Sequence, residues 1–369
     1  MKIVYFIFLL IPFFAFSQTN KNILYSNSLK LSIKDNGVLK KDEWTIMPQI
    51  KPDIYITKNK NTRIVFYSDI DSISFFSTPN KDIQFNVILN KKDTALTKIV
   101  YQRPYIEILK DASDFDTLSG KKNIKFKYQS KKNKHLKELR EKYKLDSIIG
   151  NGNDVSKLIN LMNWLHNTVP HNGSDGNPKI KNADDMLSVC SIENRGLNCR
   201  GLAIVYNEFC LSLGYKSRYV TCLPKDSLNI DNDCHVINMV FVKNLNKWLW
   251  IDPTFNAYVT SENDELLSIE EVRYNLINDI PMKINKDANW NNKEDVNIDY
   301  YLKEYMAKNL YTIQCPIKSK FNNETHLFWK ILLNKLNFVQ LVPLDYTKDI
   351  SSLYIKPISK PKIFWKKPE

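Results

Sequence analysis

The stretch from Gly196 to Phe255 constrains this 369-residue chain more than any other. It sets one run of helical period directly before two runs of strand character. Leu202, Tyr206, Phe209 and Leu213 recur at helical spacing, with Ala203 and Cys210 beside them, and Gly214 supplies the stop. Cys210 reads as a small hydrophobe on the buried face. Two β-patterned runs follow, HVINMVFV from His235 and KWLWI from Lys247, with Lys243 to Lys247 as the turn. In an antiparallel hairpin the start of one strand lies beside the end of its partner. A turn centred near Leu245 therefore puts Asp252 within about three residues of the position opposite His235. Pro253 removes a ladder donor and stops the second strand.

Three residue types needed for thiol chemistry occur here in order: Cys199, His235 and Asp252. A thiol in the first turn of a helix feels the positive end of the dipole and nearby unpaired N–H groups. Both favour the thiolate, the form that attacks carbonyls. In such a set the thiolate attacks an amide carbonyl, the imidazole moves the protons, and the carboxylate holds the imidazole in its working tautomer. The backbone N–H of Cys199 is the natural first oxyanion donor. The alternative is a buried Cys, a strand His and a turn Asp that fall in this order without chemical purpose.

The segments GLNCRGLA, HVINMVFV and WLWIDPTF resemble the nucleophile, histidine and aspartate segments of the transglutaminase-like superfamily, over roughly Asn153 to Asp279. The resemblance implies an α+β fold with a papain-like core, in which the nucleophile helix packs on an antiparallel sheet and carries Cys199, His235 and Asp252 as a triad. Cross-linking members of that superfamily usually have Gln-Cys-Trp at the nucleophile, and this chain has Asn198-Cys199-Arg200. The expected activity is therefore hydrolysis of an amide through a thioester, with acyl transfer from glutamine to amines second. A peptide- or glycan-binding protein that keeps the fold without the chemistry is the other class. No cofactor and no metal is expected.

Composition sets outer limits. With 43% hydrophobic and 25% charged residues, the chain suits a folded protein of two or three domains. Lys2, the apolar run Ile3 to Phe14, and Ala15-Phe16-Ser17 form a secretory signal over residues 1–17, with cleavage before Gln18. The run is short for a bilayer and Pro12 interrupts it, so a periplasmic or secreted monomer without a transmembrane anchor is expected. The net charge is +13, yet only seven of the 53 basic residues are Arg. Base reading and phosphate forks favour Arg, so specific nucleic-acid binding is not expected. Lysines spread along the chain suit a solvated surface that meets an anionic wall or polymer loosely.

Residues 18–120 read as an all-β accessory module. Short runs at Asp53–Thr57, Arg63–Tyr67, Ser72–Ser77, Ile83–Leu89, Thr94–Tyr101 and Tyr105–Leu109 suggest a small sandwich or barrel. Residues 121–152 are a basic linker that turns helical through His135–Tyr143. The core domain spans 153–285, opening on a helix to Thr168 with Asp154 as N-cap, in which Trp164 and His166 pack. Seven of nine glycines fall between 150 and 214, so unusual backbone shape is expected around the nucleophile. The polar loop Val169 to Asn182 is a candidate cleft wall. His171 or Asn172 could donate to an oxyanion there, against an ordinary loop role for each.

Arg200 could meet an acidic substrate group or form an ion pair, Arg218 and Tyr219 suggest a surface or interdomain contact, and Trp248 and Trp250 suggest packing on the Asp252 face. A Cys222–Cys234 disulfide is geometrically open. Zinc on Cys222, Cys234 and His235 is disfavoured, because adjacent strand residues face opposite ways. A Ser-capped helix to Asn278 follows. Residues 286–369 form an α/β extension covering the core, with a helix over Asn291 to Leu310 and strands at Tyr311–Cys315 and Asn337–Pro343. The partner is expected to be a peptide, protein or cell-wall amide.

Overall fold

A computed structural model describes residues 22–116, 124–225, 233–326, 337–344 and 355–368, with 329, 332, 333 and 346 singly. The signal assigned to residues 1–17 lies outside them. Contacts divide the chain after Arg103 into two units.

The first unit carries two four-stranded sheets. One orders Ile23–Ser26, Ile83–Leu89, Asp93–Tyr101 and Asp53–Thr57; the other orders Val38–Thr45, Lys30–Asp35, Arg63–Tyr67 and Ser72–Phe76. Alternation decides which side chains face inward: Leu31, Ile33, Ile64, Phe66, Phe85 and Val87 are buried. Phe66 and Phe85 meet edge-on at 4.9 Å. Among the described residues of this unit one charged side chain is buried, Asp35, which accepts from Thr57 Oγ1 at 2.6 Å, Asn59 Nδ2 at 3.0 Å, Tyr55 OH at 3.2 Å and Thr62 Oγ1 at 3.3 Å.

The second unit begins with a correction. Tyr105–Leu109, expected as a strand, lies in the helix Tyr105–Lys110. Five residues with apolar side chains at nearly every position fit either period, and Pro104 decides by opening a helix that buries Leu109. The basic stretch is also more than a linker, since the helix Lys134–Lys142 buries Leu136 and Leu139.

Three longer helices follow. Helix α1 (Asp154–Thr168) is capped by Asn153, whose side chain accepts from Ser156 N at 2.9 Å. Asp154, expected as the cap, instead accepts from Tyr215 OH at 3.0 Å. Helix α2 (Ala183–Glu193) was not anticipated, although its Asn182 cap and the spacing of Ala183, Met186, Leu187 and Cys190 carry the signal. Helix α3 (Cys199–Leu213) starts at Asn198 and ends at Gly214, where φ is +98° and glycine is favoured. It is buried on all sides from Gly201 to Ser212.

Strands β1 (Lys216–Leu223), β2 (His235–Val242), β3 (Lys247–Ile251), β4 (Thr312–Pro316), β5 (Phe338–Leu341) and β6 (Ile355–Ile358) form one sheet in the order β3-β2-β1-β4-β5-β6, antiparallel except for β5 against β6. Half of this sheet comes from the region expected as a covering extension. On one face Val236, Val240, Leu249 and Ile251 join the core containing α3. On the other, Ile237, Met239, Trp248 and Trp250 pack with the helix Ile269–Ile277 and a π-helix, Tyr300–Met306. The expected helix over Asn291 to Leu310 is thus shorter. Asn291 and Asn292 sit at φ +55° in a turn between the paired segments Asn289–Trp290 and Glu294–Asp295.

Two more expectations fail for reasons of packing. Arg218 is fully buried rather than a surface contact; its guanidinium carbon stands 4.0 Å from the Phe126 ring centre and 4.6 Å from that of Trp248, and Nη1 donates to Phe364 O at 3.0 Å. The Cys222–Cys234 disulfide is not formed, and all six cysteines are free. Cys222 lies opposite His235 in the ladder, so its side chain shares the face of His235 rather than that of Cys234.

Candidate active site

The position of Cys199 is built by backbone capping. Asn198 Oδ1 accepts from Gly201 N at 3.1 Å, which starts α3 and puts Cys199 at its first position. Asn177 braces this cap, accepting from Asn198 N at 3.1 Å and donating to Asn198 Oδ1 at 2.7 Å. A Cβ at Gly201 would stand 2.5 Å from Asn177 Oδ1, and one at Gly196 would run into Pro170 O. At both positions the glycine supplies room rather than unusual φ, which refines the reading of the glycine cluster. Cys199 is half-buried, with Sγ 3.9 Å from the carbonyl of Cys234.

The strand register delivers the other two residues. Asn238 pairs with Ile251, so Asp252 falls beside Ile237, two residues from His235 and on the same face of the sheet. His235 Nε2 and Asp252 Oδ2 lie 2.7 Å apart, both side chains fully buried. The same oxygen accepts from Tyr301 OH at 2.6 Å. The other oxygen accepts from the backbone N–H of Thr254 at 3.0 Å and of Phe255 at 3.4 Å. Trp250 Nε1 donates to Tyr301 OH at 3.3 Å, which turns the tyrosine proton toward the carboxylate. Across the imidazole, Nδ1 faces Tyr305 OH at 3.4 Å, with Phe255 and Tyr305 as aromatic walls 5.6 and 5.1 Å from the ring centre.

These contacts fix the electrostatics. Burial pushes the Cys199 thiol up, but hydrogen bonds from His171 and His235, the imidazolium charge and the Val236 N–H outweigh it and bring the thiol down to about 6. Burial also opposes a charge on His235; Asp252 overrides it and holds the imidazole up at about 10. Between those values the resting state is a thiolate beside an imidazolium.

The remaining candidates separate cleanly. His171 is among the groups that lower the Cys199 thiol. Asn172 is spent on its own turn, accepting from Ser174 N and donating to Asp175. Arg200 forms the ion pair, bidentate to buried Glu324 at 2.7 and 2.8 Å, and also donates to Thr221. His166 ties α1 to the turn after Asp252, through Pro253 O at 3.1 Å and Asn289 at 2.9 Å. Tyr301, Tyr305, Trp290 and Asn177 were missed, because neither spacing nor a motif links them to the three residues. Among the described residues no group of three or more His, Cys, Asp or Glu is arranged to hold a metal ion.

Residues 143–253 match the family model of the transglutaminase-like superfamily, and the core is α+β with that arrangement. Two solved structures are similar. One is a candidate cysteine protease from Cytophaga hutchinsonii, 20% identical with a TM-score of 0.26, covering 35% of this chain and 40% of that one. The other is a candidate protease from Parabacteroides distasonis, 10% identical with a TM-score of 0.24, covering 60% and 37%. The chain thus spans well under two thirds of either. No curated protein matches. The match supports a cysteine-dependent enzyme in general terms.

Proposed function

We propose that the protein hydrolyses amide bonds through a thioester on Cys199. The observation that carries this reading is the fully buried pair of His235 Nε2 and Asp252 at 2.7 Å, beside a thiol at the start of α3 that is brought down to about 6. The thiolate attacks the carbonyl carbon, a C–S bond forms, and the π pair moves onto oxygen beside the Cys199 N–H. Collapse breaks the C–N bond, and the imidazolium gives its proton to the leaving amine. His235 then takes a proton from water, which attacks the thioester and frees the acid and the thiolate. Asp252, held by Tyr301 and two backbone donors, keeps Nε2 protonated throughout.

Hydrolysis is placed ahead of transfer because water is far more abundant than any amine competing for the thioester. The substrate class is a peptide, protein side-chain or cell-wall amide, met outside the cytoplasm. The N-terminal apolar run supports export, and a mature protein beginning at Gln18 is expected by mass spectrometry. A mature chain that keeps residues 1–17 would remove that part.

Glutamine peptides incubated with a labelled amine should release ammonia without stable incorporation, and incorporation would reverse the order. The pH dependence has a definite sign. Alkylation of Cys199 should rise as pH passes about 6, where the thiol loses its proton. Turnover should fall again above about 10, where His235 loses the proton it must deliver. A thiol that reacts no faster than in denatured protein, with no plateau at low pH, leaves a binding protein that kept the fold.

A further inference from the structure

We propose that His171 is the second oxyanion donor, presenting an Nε2–H that Trp290 fixes in place by occupying Nδ1. The inference rests on the reading of Cys199 as nucleophile. It begins with backbone. His171 forms a parallel bridge with Leu197, two residues before Cys199. Asn172 N donates to Leu197 O at 2.8 Å and Leu197 N to Pro170 O at 3.1 Å. The loop is thereby stitched to the segment that leads into the nucleophile, an approach that the missing side chain of Gly196 allows.

Asn291 then clamps the residue itself. Its Oδ1 accepts from His171 N at 2.6 Å, and its Nδ2 donates to His171 O at 2.9 Å. With both backbone groups held, the ring is the only part left to serve a substrate. Trp290 Nε1 donates to His171 Nδ1 at 3.3 Å. An indole N–H is a donor only, so Nδ1 must accept, and a neutral imidazole then carries its proton on Nε2. That nitrogen is the one left for a substrate, and His171 is among the groups that lower the Cys199 thiol.

The same geometry argues against a second base. Loss of the Nε2 proton with Nδ1 already accepting would leave an imidazolate, far too basic to form at ordinary pH. His171 therefore gives a hydrogen bond and keeps its proton. At rest the bond goes to the thiolate. As the C–S bond forms, the carbonyl π pair becomes an oxyanion next to the sulfur, and the bond passes to that oxygen alongside the Cys199 N–H. The leaving amine still takes its proton from His235, so no other proton moves. Trp290 and Asn291 are positioning residues.

Two reactions separate this role from thiolate activation. Iodoacetamide alkylates a thiolate by displacement and forms no oxyanion. p-Nitrophenyl acetate acylates it through an oxyanion and leaves without needing a proton. In the full chain, His171→Ala should slow the acetylation burst roughly 100-fold, the cost typical of one lost oxyanion donor. Plateau alkylation rates should change by no more than about fivefold. His171→Gln, which keeps an N–H donor, should recover about tenfold of the loss. Trp290→Phe, which releases the tautomer while keeping an aromatic ring, should slow acetylation severalfold at unchanged melting temperature.

Wild-type acetylation rates in His171→Ala, or equal losses in both reactions with no rescue by His171→Gln, would overturn the proposal alone. A wild-type protein that neither acetylates nor shows the low-pH alkylation plateau would overturn the nucleophile reading and this inference together. Should His171→Ala fail to fold, His171→Gln against Trp290→Phe carries the same comparison.

Discussion

Among the described residues each unit of the molecule buries one well-satisfied aspartate, and only one of them serves chemistry in our reading. Asp35 is 2% exposed and accepts from three hydroxyls and an amide; Asp252 is fully buried and accepts from an imidazole, a phenol and two backbone N–H groups. Both satisfy the rule that a buried charge needs partners. The difference is what those partners can do. Every donor to Asp35 keeps its proton at ordinary pH, and where one reaches further it meets only a hydroxyl or a backbone carbonyl. One donor to Asp252 can exchange a proton, and it is coupled electrostatically to a thiol at a helix start. Burial and hydrogen-bond saturation therefore describe a well-made interior; a titratable partner with a second contact makes a site.

The largest effect expected from breaking this comparison is that of Asp252→Asn. The shape remains while the imidazolium loses its counter-charge and its tautomer control, so turnover should fall by about 10⁴-fold. Activity within tenfold of wild type, read on any amide substrate, would sink the role assigned to Asp252. Tyr301→Phe tests the support behind that residue. It removes one donor to the carboxylate and the acceptor for Trp250, and should lower kcat/KM roughly tenfold, the size expected for a lost hydrogen bond to a charged group. A rate unchanged alongside a lowered melting temperature would make Tyr301 purely structural. The smallest effect on rate belongs to Asp35→Asn. It should leave turnover where it was while costing about 1–3 kcal/mol of stability, from hydroxyls left without an acceptor. Thermal melting followed beside activity checks both halves, and a rate loss with no loss of stability would erase the contrast.

How much of this was legible in the sequence depended on distance along the chain. Helix α3 and the hairpin of β2 and β3 were readable because their periodic side chains and their stops at Gly214 and Pro253 are local. The neighbourhood of Asp252 and His235 followed from counting out from a single turn. The failures are equally physical. Tyr105–Leu109 is too short for its period to be told, and Pro104 was the cue that mattered. Arg218 looked like a surface cation because its cover, Phe126 and Phe364, lies 92 residues before it and 146 after. Asn291 sits in a left-handed turn that no helical pattern could continue through. Tyr301, Trp290 and Glu324 reach the site region by tertiary packing alone, without a periodic or motif signal.

The central sheet takes β1, β2 and β3 from the middle of the chain and β4, β5 and β6 from residues beyond 311. A polypeptide is made in one direction, so this sheet has a timetable. A nascent chain that has reached Pro253 already holds Cys199, His235 and Asp252, yet Tyr301 does not exist, β1 has an open edge where β4 will pair, and Arg218 lacks the carbonyl of Phe364. Cys199 is thus synthesised well before the parts that complete its surroundings. A chain halted there carries the three residues without the phenol that holds the carboxylate.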